Sequence, residues 1–276
     1  MIKTLASLNA DLASDIAFRY SNRLSKLVDM NLQAIHVEEV EGPSPGTGWV
    51  RNTLERGLLH TAQEEISDLI KASGSTYSAL DTPIIRVGER EHELLREIKD
   101  GGYDLFMEGL LNSFSPTNFY RRMQSGLYRN APCPILMVRN MVELNRTAIL
   151  LRNNSDLASC IPTFLKIFTK PESEFDLIRF SFPETGKKGF KEKAGTPGTS
   201  SNKDADKLIK DAEALLAEAG HRPREILIIQ DKPDKLNEFL TDYGLVVIQI
   251  PKNPAKKNRV MELLSHTATA ILLCRR

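Results

Sequence analysis

One order of elements occurs twice in this chain. From Lys3 to Val138, short apolar runs alternate with segments of helical period, and after Arg146 the same order starts again and runs to Cys274. An internal repeat of this kind constrains the fold more than any single motif, because each copy must be one structural unit with its own set of elements. Short strands alternating with amphipathic helices require parallel strands joined by crossover helices. The expected architecture is therefore α/β, with two doubly wound parallel five-stranded sheets and helices on both faces.

The first copy reads as strands over Lys3–Leu8, Leu32–Val40, Thr82–Val87, Tyr103–Glu108 and Cys133–Val138. Helices are expected between them. In the first, Ile16, Ala17, Tyr20, Leu24, Leu27 and Val28 fall at helical spacing, and in the second, Leu58, Leu59, Ala62, Ile66, Leu69 and Ile70 share a face. The third covers Glu91–Asp100 and the fourth Thr117–Tyr128. The second copy reads as strands over Thr147–Arg152, Phe175–Phe182, Arg224–Gln230, Leu245–Ile250 and Thr269–Cys274. Its helices are expected over Ser155–Phe168, with Pro162 inside, Ala205–Ala219, closed by Gly220, Lys235–Gly244 and Ala255–Ser265. The stretch Pro183–Asp204 is rich in Gly, Ser, Thr and Lys and reads as a loop, mobile over Lys187–Asn202, with Lys187, Lys188, Lys191 and Lys193 as a basic cluster.

The 276 residues suffice for two ordinary domains, expected over 1–140 and 145–276. A formal net charge of +1 argues against a general nucleic-acid binder. No apolar run approaches the roughly 18–20 residues of a membrane helix, and the first residues lack the pattern of a signal peptide. Cys133, Cys160 and Cys274 are far apart with no His nearby, so reduced, buried thiols in a cytoplasmic protein are expected rather than zinc or disulfides.

Three segments carry a resemblance. Arg129–Arg139, RNAPCPILMVR, resembles the last helix end and last strand of the universal stress protein family, commonly written A-P-C-P-V-L-V-V. Gly101–Gly109, GGYDLFMEG, resembles that family's strand aDLIVMG, and Leu32–Val40 resembles its second strand, which often ends in His-Val. The spacing agrees too, while the second half looks like a diverged copy, matching by element order more than by motif. The resemblance implies the adenine-nucleotide-hydrolase-like fold, pairing of the two halves through their last strands, and a nucleotide site. In ATP-binding members an Asp ends the first strand, and a loop after the fourth strand reads G-x-x-G, nine residues, then G-S or G-T. Glycines let backbone N–H groups approach phosphates, and the hydroxyl adds a donor.

This chain departs from that pattern. Asn9 stands in the place of the Asp. Gly109 fits the first glycine, Asn112 replaces the second, and the final pair falls on Arg121 and Arg122 counted back from Ala131, or on Arg122 and Met123 counted forward from Gly109. Between the last two strands of the second half there is no glycine. The candidate site residues are thus Asn9, Gly109, Asn112, Arg121 and Arg122, as a degenerate nucleotide cleft. Arg121 and Arg122 admit two readings, an anion site of guanidinium forks or a solvated helix face with local acidic partners. Asn9 reads as a ligand contact at a strand end or as a helix cap. His36 sits late in an apolar strand and reads as structural. Ser7, Ser113 and Ser115 lack the context of a nucleophile elbow.

The expectation is a stress-response or regulatory protein without enzymatic activity, with no cofactor, that acts through protein contacts or a small ligand. The alternatives are a sensor that binds ATP or another adenine nucleotide through a remodelled phosphate loop and, more remotely, a nucleotide hydrolase or transferase; the ligand alternative to no cofactor is ATP or another anion. The two halves are expected to pair within the chain through Cys133–Val138 and Thr269–Cys274.

Overall fold

A computed structural model describes residues 1–39, 49–72, 82–111, 115–140, 144–170, 173–183, 190–193, 203–251 and 258–274. In chain order the first half contains β1 (Ile2–Ser7), α1 (Leu12–Leu27), β2 (Met30–Glu38), α2 (Trp49–Ala72), β3 (Ile84–Val87), α3 (Arg90–Gly101), β4 (Leu105–Gly109), α4 (Pro116–Met123), α5 (Gly126–Asn130) and β5 (Ile135–Val138). The second half contains β6 (Thr147–Leu151), α6 (Asn154–Ile167), β7 (Phe175–Ser181), β8 (Phe190–Lys193), α7 (Lys203–Glu218), β9 (Glu225–Gln230), α8 (Pro233–Leu240), β10 (Leu245–Gln249), α9 (Arg259–His266) and β11 (Ala270–Cys274).

These strands form one sheet in the order β3-β2-β1-β4-β5-β11-β10-β6-β7-β9-β8. Within each half the five repeated strands run parallel. The two parallel runs meet where β5 and β11 pair antiparallel, with Met137 opposite Ile271, Leu136 opposite Leu272 and Ile135 opposite Leu273. The halves thus pair within the chain, through the strands expected from the sequence. Strands buried on both faces read as continuous apolar runs, and β5, β6, β10 and β11 are buried at every position.

The alternation of strand side chains divides the interior into two layers. One holds Ala6, Met107, Leu136, Ile149 and Leu272, and the other holds Leu5, Phe106, Ile135, Ala148 and Ile271. Each layer runs through both halves without a break at the β5–β11 seam. The Tyr20 hydroxyl of α1 donates to the Gly244 carbonyl across the halves at 3.2 Å, and Lys166 of α6 pairs with Asp104 at 2.7 Å.

Two local expectations need correction. The helix expected over Thr117–Tyr128 is two helices: Ser125 takes an extended backbone, and its side chain caps α5 by accepting from the Tyr128 amide. The loop expected over Pro183–Asp204 contains a strand. β8 pairs antiparallel with β9, Phe190 opposite Gln230 and Lys193 opposite Leu227. The rest of the segment Lys187–Asn202 lies outside the described residues, Lys187 and Lys188 included. Pro162 is accommodated inside α6. Gly220, at φ +80°, follows α7 in the left-handed conformation that glycine adopts at low cost.

Candidate functional site

In a doubly wound sheet the crevice for a ligand opens at the carboxyl ends of the strands where the strand order reverses. In the first half that point lies between β1 and β4, and Ser7 and Glu108 face each other in register there. Glu108 is the last residue but one of β4 and is only 1% exposed. Three helices deliver hydrogen-bonding groups to it. Arg122, from α4, donates from Nε to Oε1 at 3.2 Å and from Nη2 to Oε2. Arg90, the first residue of α3, donates from Nη2 to Oε2 at 3.4 Å and to the Ser7 hydroxyl at 2.8 Å. The buried Tyr128 hydroxyl, from α5, donates to Oε1.

Burial pushes the Glu108 carboxyl upward, but the guanidinium groups of Arg122 and Arg90, with the hydrogen bonds from Arg122 and Tyr128, hold it below the usual carboxylate range. Burial raises the Tyr128 phenol well above its ordinary value, and the neighbouring Glu108 charge adds to this. The cluster is therefore a carboxylate with two cations and a protonated phenol. Two guanidinium groups face one carboxylate.

The residues named from the sequence divide around this cluster. Arg122 belongs to it and has the acidic partner of the second reading, but that partner is the buried Glu108 at the strand end and not a group on a solvated face, while Arg121 is exposed. Gly109 packs against α1: a Cβ there would lie 2.0 Å from the Ala13 carbonyl oxygen. Its lack of a side chain is what lets the first turn of α1 lie against the end of β4. Asn9 is not the helix cap. Asp11 caps α1 by accepting from the Ser14 amide at 2.8 Å, and the Ser14 hydroxyl accepts from the Asn9 amide at 2.7 Å. Asn112 and Ser113 lie outside the described residues. His36 bridges strands, with Nδ1 2.9 Å from the Leu8 carbonyl and Nε2 3.1 Å from Glu38 Oε2.

The sequence reading missed Arg90, Glu108 and Tyr128. The available signal was a carboxylate at the end of the apolar run Tyr103–Glu108, which demands a cationic partner once buried.

The second half carries a parallel arrangement where β6 and β10 end. Asp156, fully buried in the first turn of α6, accepts from Arg152 Nε at 2.7 Å, Nη2 at 2.8 Å and the backbone amide at 2.8 Å. Arg152 Nη2 also donates to the Gln249 carbonyl at 2.9 Å. Here too an arginine–carboxylate pair lies beside the reversal of strand order.

Cys133, Cys160 and Cys274 are free thiols and buried. Burial pushes the Cys133 thiol up to about 12, which makes it a poor nucleophile. Among the described residues no group of three or more His, Cys, Asp or Glu is placed to hold a metal ion, and no helix is long and apolar enough to cross a membrane.

No family model matches the chain, and neither does any curated protein. Solved structures do. A universal stress protein from Archaeoglobus fulgidus matches with a TM-score of 0.64 at 11% identity, over 100% of this chain and 96% of its own. A functionally unknown protein from Pseudomonas aeruginosa matches with a TM-score of 0.59 at 12% identity, over 99% of this chain and 92% of its own. A further Pseudomonas aeruginosa structure, provisionally assigned to the universal stress proteins, matches with a TM-score of 0.56 at 12% identity over the same shares. The whole chain, both halves included, has the universal stress protein fold.

Proposed function

We propose that this chain, built on the universal stress protein fold, is a tandem regulatory protein of the stress-response type. In this reading residues 1–140 and 145–276 are its two domains, it acts through protein contacts or a small ligand, and it does not turn over a nucleotide. The observation that carries the reading is the buried Glu108, held by Arg122, Arg90 and Tyr128 at the strand ends where the sheet order reverses in the first half. A carboxylate at that point repels phosphate, and its partners are already engaged. Gly109 serves helix packing instead of a phosphate loop, and Arg152 with Asp156 fills the corresponding place in the second half. Three free, buried thiols suit a reducing compartment, in keeping with a cytoplasmic protein.

Calorimetric titration of the wild-type chain with ATP tests this reading, accompanied by a turnover screen for hydrolysis and transfer. The expected result is no saturable heat at low micromolar nucleotide and no turnover. Saturation in that range would establish the ATP-sensor alternative instead.

A further inference from the structure

Four donors converge on Glu108, two on each oxygen, which fills the acceptor sites of one carboxylate. Arg122 supplies two N–H groups, Arg90 one, and Tyr128 its hydroxyl, from three different helices, while Arg90 also reaches Ser7 on β1. Planar guanidinium forks from separate elements, converging with a phenol on one point, match the geometry of a tetrahedral oxyanion as well as that of a carboxylate. Glu108 meets two guanidinium groups, while the Glu39 carboxylate accepts from the Arg90 amide at 3.2 Å. The arginine side chains keep a path to solvent, at 32% exposure for Arg122 and 20% for Arg90. The second half differs. Asp156 faces a single arginine from its own turn and takes that residue's backbone amide as well, which is a local brace.

We propose that the Glu108 carboxylate is an internal ligand, occupying an oxyanion site of the phosphate class built by Arg90, Arg122, Tyr128 and Ser7. The side chain mimics the anion and keeps the site closed in the resting protein. This rests on the reading of the first crevice as filled. It goes further in assigning the filling group a competitor's role and the site a ligand class.

The test is chemical rescue. Glu108→Ala removes the internal carboxylate and leaves space for an anion, and thermal unfolding is followed against inorganic phosphate, with chloride at matched ionic strength as the control. The expected result is a melting temperature that rises saturably with phosphate in Glu108→Ala, while the wild-type protein and Glu108→Gln, which keeps the side chain in place, do not respond. A variant that folds only when phosphate is present gives the same answer. If Glu108→Ala is blind to phosphate, or stays unfolded with and without it, or if the wild-type protein responds equally, the proposal is overturned. AMP in a parallel arm separates the two sources of the chemistry: rescue by phosphate alone assigns a free-anion site, and equal rescue by AMP assigns a site for phosphorylated ligands. The outcome is independent of wild-type ATP binding, so failure here is distinguishable from failure of the functional reading.

Discussion

At the scale of single residues, Glu108 is a buried carboxylate that three side chains from three helices hold. A buried charge is tolerated only when paired and hydrogen-bonded, and removing one partner of such a pair costs about 3–5 kcal/mol because the other is left uncompensated. The folded carboxyl titrates below its unfolded value, about 4.3 for a free glutamate, since Arg122 and Arg90 outweigh burial. Its contribution to stability is therefore full above that value and is lost as pH falls through it toward the folded one. Urea midpoints measured from pH 7 to pH 3 should fall more steeply for the wild-type chain than for Glu108→Gln, which starts less stable and has no carboxyl to protonate at this position. Parallel slopes would show that this carboxyl is not held as described. Little of this was legible in the sequence. The broken glycine pattern pointed to the correct strand end and to Arg122. Arg90 stood 18 positions from Glu108 and Tyr128 stood 20, and only the fold brings such separations together.

At the scale of elements, most of the repeat could be read in advance because it rests on periodicity, and that signal is local. What escaped was decided by contacts beyond the window. β8 exists because β9 offers an edge, and the split between α4 and α5 exists because Ser125 caps a new helix. The end of α9 is another case. Arg139, just past β5, is buried, and its Nη1 donates to the carbonyls of Leu264 at 2.8 Å, Ser265 at 3.3 Å and Thr267 at 2.5 Å. Terminal helix carbonyls lack intrahelical partners and favour a cation nearby. The same guanidinium lies 4.9 Å from the centroid of the Phe119 ring on α4, so one residue of the first half fixes helices from both. Burial draws its pKa down to about 10, which leaves it charged at neutral pH. Arg139→Met should cost about 1.5–3 kcal/mol, the range for hydrogen bonds to charged groups, and should speed amide exchange in α9 before that in α6. Unchanged exchange in α9 would mean the helix end is held by something else. The motif segment Arg129–Arg139 announced the fold, and nothing in it announced that its last residue reaches into the other half.

At the scale of the whole molecule, the two halves share one sheet and two uninterrupted apolar layers. An exposed edge strand as apolar as β5 or β11 invites association, and pairing them within one chain removes both edges at once. Ile135 and Ile271 are fully buried on the same layer beside the seam. The double variant Ile135→Asp with Ile271→Asp should lower the melting temperature and raise the radius of gyration in small-angle scattering, since unpaired carboxylates there are costly to bury. A variant that keeps both values would show that the seam does not hold the halves together. The central claim, that the chain's own side chains fill the crevice a nucleotide would use, is tested most directly by a crystal structure of the wild-type protein grown with millimolar ATP and magnesium. The account predicts Glu108 joined to Arg122, Arg90 and Tyr128, with no nucleotide density beside Asn9 and Gly109. An ordered nucleotide in that crevice, with Arg122 swung away from Glu108, would contradict it.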